Sequence, residues 1–158
     1  MKYYSLNKKA PSTSFKGAVI TGLAPDKGLY FPEHITPLPT AFFDNIGNLS
    51  HSEIAFEAIK QFVSSDIPED ILKNIINETL SFDFPIVEFN NNISTLELFH
   101  GPTMAFKDVG ARFMAQCLGY FNQNNTNDVT VLVATSGDTG AAIANGFLGV
   151  KGVKVVIL

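Results

Sequence analysis

The N-terminal part of the chain contains two stretches in which a hydroxyl residue precedes apolar positions at helical spacing. Ser14 can accept a hydrogen bond from a free N–H group at a helix start, and Gly22 can end that helix. Ser50 and Glu53 have the spacing of a capping box, and apolar residues follow at intervals of three and four through position 63. The pattern predicts a short helix at 14–22 and an amphipathic helix at 50–63.

Two further helices are predicted downstream. Asp66 and Pro68 supply a cap and an early proline before apolar positions that continue to Leu80. This helix and the preceding one are interpreted as a helical hairpin that serves packing. A longer stripe runs from Phe106 to Phe121, with Asp108 and Arg112 outside it at a spacing of four residues.

Strand patterns separate the two pairs of helices. Residues 29–31 form a short apolar run, and the prolines after it predict an irregular connector. Residues 86–89 and 95–99 are strand-like and are joined through three asparagines. The change of pattern predicts a boundary near residue 83, between an N-terminal α+β domain with a helical hairpin (1–82) and an α/β domain (83–158).

The last thirty residues have the order strand, helix, strand. Residues 129–134 form a continuous apolar strand, typical of one buried on both faces, and residues 153–158 form another. The intervening turn and helix make this a right-handed βαβ unit. The predicted fold class is therefore α/β, with the start of an open parallel sheet that is incomplete at the C-terminus. The exposed edge of that sheet predicts self-association.

Composition narrows the classes of function. The chain is 46% hydrophobic with a net charge of -4, which argues against a nucleic-acid surface. A single cysteine, Cys117, excludes an internal disulfide, and its helical spacing predicts a buried structural thiol. No apolar run has the length of a signal peptide or membrane span, so the sequence predicts a soluble, cytoplasmic protein without membrane contact.

Lys107 is the first candidate for chemistry. It follows Gly101-Pro102 and lies in the first turn of the predicted helix, where partial positive charge disfavours an ammonium by roughly 0.3 to 1 kcal/mol. Such a position suits a Schiff-base lysine better than a surface lysine. The alternative is a solvated lysine beside Asp108.

The second candidate is the turn Thr135-Ser136-Gly137-Asp138-Thr139-Gly140, between a strand and a helix. Such turns direct backbone N–H groups at one point and bind carboxylates or phosphates. The alternative is an ordinary βα turn with Ser136 or Asp138 as the N-cap. No dinucleotide, Walker or serine-hydrolase motif has the required spacing, and the three histidines are too far apart in sequence to predict a metal site.

Taken together, three segments resemble one family. The stretch from Phe99 to Asp108 (FHGPTMAFKD), the stretch from Ala134 to Gly140 (ATSGDTG) and the N-terminal segment 14–32 are similar to threonine synthase of the long form. That family comprises pyridoxal-phosphate enzymes of the tryptophan synthase β type. The resemblance covers the chain from end to end.

The resemblance implies specific roles. Lys107 matches the lysine that holds pyridoxal 5'-phosphate as a Schiff base and then acts as acid and base. Ser136, Gly137, Thr139 and Gly140 match the loop that binds the substrate. Asp138 stands at a cofactor-binding position where related enzymes place asparagine. The implied reaction converts O-phospho-L-homoserine and water to L-threonine and phosphate.

Part of the family pattern has no counterpart in this sequence. The phosphate-binding loop and the partner of the pyridine nitrogen are expected further downstream, so these residues are expected to be an N-terminal segment that is inactive alone. Two alternatives remain: another pyridoxal-phosphate lyase, such as a dehydratase, or a non-catalytic anion-binding or interaction module that retains the fold. The N-terminal segment disfavours the first of them.

Overall fold

The computed structural model describes residues 1–135 and 137–158, which form two compact units, Met1–Asn77 and Glu78–Leu158. The domain boundary that the sequence predicts near residue 83 is a separate matter and stays a prediction. In chain order the elements are β1 (Tyr3–Ser5), α1 (Phe15–Thr21), β2 (Tyr30–Pro32), α2 (Thr40–Asn45), a 3-10 turn (Ile46–Asn48), α3 (His51–Val63), α4 (Glu69–Thr79), β3 (Ile86–Asn90), β4 (Ile93–Leu96), α5 (Lys107–Asn122), β5 (Val129–Val133), α6 (Asp138–Phe147) and β6 (Val153–Ile157). No helix in the described residues is long and apolar enough to span a membrane.

The predicted helices of the first unit are confirmed, and the predicted caps of α1 and α3 are formed. The Ser14 hydroxyl accepts a hydrogen bond from the Gly17 N–H at 3.2 Å, and Gly22 ends α1 with a φ of 72°. Both halves of the capping box between Ser50 and Glu53 are formed at the start of α3. The core of this unit consists of the buried apolar side chains of α3, α4 and the turn between them, including Phe56, Val63, Ile67, Leu72, Ile75 and Ile76.

Two features of the first unit differ from the sequence prediction. The segment after Pro32, predicted to be irregular, contains α2 and the 3-10 turn. The N-cap of α2 is Pro39, whose side chain cannot accept a hydrogen bond, so the sequence lacks the usual start pattern. The strand β1 was not predicted either; it pairs antiparallel with β2, from Tyr3 opposite Pro32 to Ser5 opposite Tyr30. Its three residues are too few for a periodicity.

Asp26 organises the turn between α1 and β2. Its carboxylate accepts hydrogen bonds from the Ser5 hydroxyl at 2.6 Å, the Lys9 N–H at 2.9 Å and the Gly28 N–H at 3.0 Å. The hydrogen bond from Ser5, with smaller contributions from the backbone N–H groups, lowers the pKa of Asp26 below its usual 3.8. The ionised form is therefore favoured in the folded chain.

This lowered pKa predicts a pH dependence of stability. The contribution of Asp26 should be present above about pH 3.8 and should be lost as the pH falls through its lower folded-state pKa. Asp26→Asn should destabilise the chain at neutral pH and flatten the loss of stability on acidification. Thermal midpoints measured by circular dichroism across the acid range test this, with the exposed Asp44→Asn as the control. Parallel curves for Asp26→Asn and the unmodified chain would contradict the assignment.

The second unit contains the predicted βαβ arrangement and confirms the α/β class. Strands β5 and β6 are parallel, with Val129 opposite Val153 and Val133 opposite Ile157. Helix α6 connects them, and α5 and α6 both contact β6. Ahead of α5, β3 and β4 form an antiparallel hairpin, in which β4 ends at Leu96 rather than at residue 99.

The prediction that 129–134 is buried on both faces is wrong for this chain. Burial alternates along β5, where Leu132 is 65% exposed between half-buried valines. On β6, Val156 is also exposed, whereas Val153 and Val155 are half-buried. The helices of the unit cover only one face of the two-stranded sheet, so an apolar strand has an uncovered side.

Candidate active site

Lys107 is the first residue of α5 and is half-buried. Phe106 precedes it in helical conformation as the N-cap and, in the described part of the chain, makes no side-chain capping hydrogen bond. The Lys107 Nζ lies 4.4 Å from the centre of the Phe106 ring. Within residues 1–135 and 137–158 this ammonium forms no ion pair. The amine is thus positioned at a helix start without a neutralising carboxylate.

Asp108, which the sequence placed outside the apolar stripe of this helix, is buried and forms no ion pair with Lys107. Its carboxylate is 1% exposed and accepts hydrogen bonds from the Thr103 N–H at 2.9 Å and the Thr103 hydroxyl at 2.5 Å. Nor is it paired with Arg112 four residues later. The Arg112 Nη2 donates instead to the Glu78 carbonyl and, at 2.8 Å, to the Ser81 hydroxyl.

The turn ahead of α5 is packed against the Asp108 carboxylate. A Cβ on Gly101 would lie 2.5 Å from the Asp108 Oδ2, so only glycine fits without displacement. The Met104 N–H donates to the Gly101 carbonyl at 3.0 Å, and Met104 has a φ of 56°, a conformation that favours glycine. Asp108 therefore fixes the path of the backbone that leads to Lys107.

The N-cap of α6 is a glycine, which has no side chain to cap the helix start. Gly137 is its N-cap, with a φ of 79°, and Asp138 is the exposed first helical residue. The first helical hydrogen bond runs from the Ala141 N–H to the Gly137 carbonyl at 3.1 Å, so the N–H groups of residues 138–140 precede it. The alternative with Asp138 as the N-cap is wrong, and Ser136 lies outside the described residues.

The other two predicted residues of this turn differ in accessibility. Thr139 is half-buried, whereas Gly140 is buried in the first turn of α6. A Cβ on Gly140 would lie 3.2 Å from the Thr135 Cγ2 and 3.4 Å from the Ile157 Cγ2, so glycine lets the helix start approach β6 closely. Since the N-cap residue Gly137 supplies no side-chain acceptor, the N–H groups at this helix start can bind a carboxylate or a phosphate.

Helices α5 and α6 contact each other beyond the two candidate segments. A Cβ on Gly146 would lie 3.1 Å from the Ala111 carbonyl carbon, so the two backbones approach closely at these residues. Ala111, the α5 residue of this contact, lies four residues after Lys107. In the described residues no hydrogen bond or ion pair joins Lys107 to residues 137–140. The structure therefore brings the two helices together but does not join the two candidate segments directly.

Cys117 is a structural thiol, as its position in the helix predicted. Its side chain is fully buried, and burial raises the pKa of the thiol to about 12. The reactive thiolate is therefore a negligible fraction at neutral pH. We expect Cys117 to resist alkylation by iodoacetamide in the folded chain and to react once urea unfolds it. Peptide mass spectrometry measures both; rapid labelling under native conditions would contradict the burial.

Sequence reasoning missed Asp108 and Thr103 as contributors to this site. The available signal was a threonine five residues before an aspartate in a first helical turn, since such a carboxylate can accept hydrogen bonds from preceding N–H groups. The described residues hold no group of three or more histidine, cysteine or acidic side chains that could bind a metal ion.

Comparison with a family model and with known proteins identifies the same family. Residues 2–80 match the model of the family described as "Threonine synthase N terminus". A threonine synthase from Buchnera aphidicola subsp. Baizongia pistaciae is 41% identical over the whole chain, which covers 37% of that protein. The chain thus spans little more than a third of the length of this relative.

Solved structures agree with the sequence comparison. The crystal structure of threonine synthase from Escherichia coli is similar over 99% of the chain, with a TM-score of 0.91 and 39% identity. Threonine synthase from Brucella melitensis, solved with bound PLP, has a TM-score of 0.93 and 33% identity over the same share. The chain covers 36% of the first of these structures and 35% of the second.

Proposed function

We propose a function for this chain on the premise that it belongs to the threonine synthase family, whose N-terminus model it matches. It is the N-terminal part of a cytoplasmic lyase that converts O-phospho-L-homoserine and water to L-threonine and phosphate. The observation that carries the proposal is the Lys107 amine, which lies at an uncapped helix start and has no ion pair among the described residues.

The residues present fit pyridoxal 5'-phosphate. Lys107 would hold it through its amine, because no described carboxylate competes for that amine. When bound, the group supplies an electron sink for negative charge on the substrate. Asp138 is the candidate for contact with the cofactor ring. The fit is supported by the start of α6, where the N-cap is Gly137 and the first N–H groups can accept an anionic group.

The reaction then assigns work to this chain's own residues. The Lys107 amine holds and moves the protons at the α and β carbons of the substrate. The N–H groups around Gly137, Thr139 and Gly140, together with the Ser136 hydroxyl, bind the substrate carboxylate and orient the carbon chain. Asp108 and Thr103 keep the Lys107 backbone in place, as their hydrogen bonds indicate.

Phosphate release from O-phospho-L-homoserine tests this function. The complete protein that contains this chain should release phosphate and form threonine in equal amounts. The 158 residues alone should do neither, because most of the relatives' length lies outside them. Formation of a keto acid from threonine or serine without phosphate release would favour a dehydratase. Absence of every such activity in the complete protein would favour a non-catalytic module.

The uncovered face of β5 and β6 supports self-association of the 158-residue chain. Leu132, Val156 and Leu158 are exposed, so this face presents apolar side chains. In the described residues β5 and β6 form a two-stranded sheet, so each strand also has an unpaired edge that can pair with another chain. We expect concentration-dependent association in sedimentation velocity, reduced by Val156→Lys. The control is Leu148→Lys, which changes an exposed leucine outside the strands. Monomeric behaviour at high concentration would contradict the proposal.

A further inference from the structure

The first unit contains a cavity of about 650 Å³ between α2, α3 and α4. Its apolar wall includes Phe42 from α2, Leu49 and the buried Phe56 from α3. Polar side chains line the rest, among them Glu53, Glu57, Lys73 and Asn77. The volume and the mixture of an apolar wall with a few polar groups are those of small-molecule sites, which typically measure about 300–1,000 Å³.

The charged side chains around this cavity differ in whether they have partners. Glu57 is paired with Lys60 at 2.8 Å, and Glu53 accepts hydrogen bonds from the Ser50 N–H and hydroxyl at 2.7 Å. Lys73 lies 4.9 Å from the centre of the Phe56 ring and has no ion pair within the described residues. Among the described residues, both glutamates of the cavity thus have partners, whereas the Lys73 ammonium beside the aromatic wall has no ion pair.

We propose that this cavity binds a small organic carboxylate with an apolar body. The carboxylate pairs with Lys73, and the hydrocarbon part lies against Phe42, Leu49 and Phe56. A phosphorylated or dianionic ligand is disfavoured, because Glu53 and Glu57 line the same cavity. The cavity lies wholly in the first unit, so the proposal does not depend on the function assigned to Lys107.

Two probes of the same shape test the requirement for a carboxylate, and a third probe identifies the source of the ligand. We expect 3-phenylpropionate to bind the chain in isothermal titration calorimetry and the neutral 3-phenylpropanamide to bind about tenfold more weakly or not at all. Amide signals in nuclear magnetic resonance spectra should shift mainly between residues 39 and 77. L-phenylalanine, the third probe, identifies the source: tighter binding than 3-phenylpropionate indicates an amino acid, and weaker binding a simple acid. Equal binding of the amide, or no binding of either carboxylate, overturns the proposal.

Two variants locate the ligand. Lys73→Met should weaken binding of 3-phenylpropionate about tenfold, while Lys9→Met removes the same charge at an exposed site outside the cavity and should leave affinity unchanged. Ala41→Phe adds an aromatic ring at an exposed position that lines the cavity and should block binding without unfolding the chain. Unchanged affinity in Lys73→Met would place the ligand elsewhere and contradict the assignment.

Discussion

Lys107→Ala is expected to abolish cofactor attachment and to slow threonine formation by the complete protein on the order of 10²–10⁴-fold, the usual contribution of a general acid–base residue. In this proposal the Lys107 amine both holds the cofactor and moves protons. Borohydride reduction followed by peptide mass spectrometry should find the adduct on Lys107 in the unmodified protein and none in the variant.

Two further variants serve as controls. One tests whether the positive charge alone is sufficient, and the other tests whether the loss of any lysine has the same effect. Lys107→Arg keeps the positive charge but should be as inactive as Lys107→Ala, because a guanidinium cannot take part in a Schiff base under these conditions. Lys151→Ala removes an exposed lysine of the same unit and should leave trapping unchanged. An adduct on another lysine, or full activity in Lys107→Ala, would refute the assignment.

Asp108→Ala is expected to lower the free energy of unfolding by about 3 kcal/mol, because it leaves the N–H and hydroxyl of Thr103 without their buried charged acceptor. Urea titration followed by circular dichroism measures this loss. In the complete protein, the same variant should slow trapping of the cofactor at Lys107, since the turn ahead of α5 loses its anchor.

A double-mutant cycle identifies the contact responsible. Asp108→Asn keeps an oxygen acceptor and should lose less stability than Asp108→Ala, with trapping at Lys107 largely restored. Thr103→Ala combined with Asp108→Ala should cost less than the sum of the two single changes, with a coupling of about 0.5–3 kcal/mol. Additive losses would show that the carboxylate does not act through Thr103.

The helices that the sequence predicted are those in which local signals agree. At the start of α3, the capping box between Ser50 and Glu53 and the apolar spacing that follows specify the same element, and both halves of the box are formed. The βαβ unit was predicted for a similar reason. Two strands rich in β-branched residues flank a helical pattern that is long enough to connect them.

The missed features depend on interactions distant in sequence or on unusual backbone. Strand β1 exists because it pairs with β2, in which Pro32 lies opposite Tyr3 and 29 residues after it, and a three-residue strand has no pattern of its own. The burial of Asp108 depends on a turn in which Met104, not a glycine, adopts a positive φ. Neither feature follows from spacing alone.

The candidate site was predictable only in part. Lys107 and Asp138 were expected near helix starts, and both are first residues of their helices. Their catalytic and cofactor-binding roles, and those of Ser136, Gly137, Thr139 and Gly140, stay predictions, because those roles depend on a bound cofactor and substrate. Burial of one strand face likewise depends on whatever covers β5 and β6 in the complete protein.

The hairpin of β3 and β4 is exposed along its whole length, with Phe89 at 81% exposure. A two-stranded hairpin without a packed face is only marginally stable in water. Opening of this hairpin therefore needs little free energy compared with unfolding of α3 and α4 or of α5 and α6. A protease should cut the folded chain first in the turn at 91–92. The C-terminal product would then carry Lys107 together with all of α5, β5, α6 and β6.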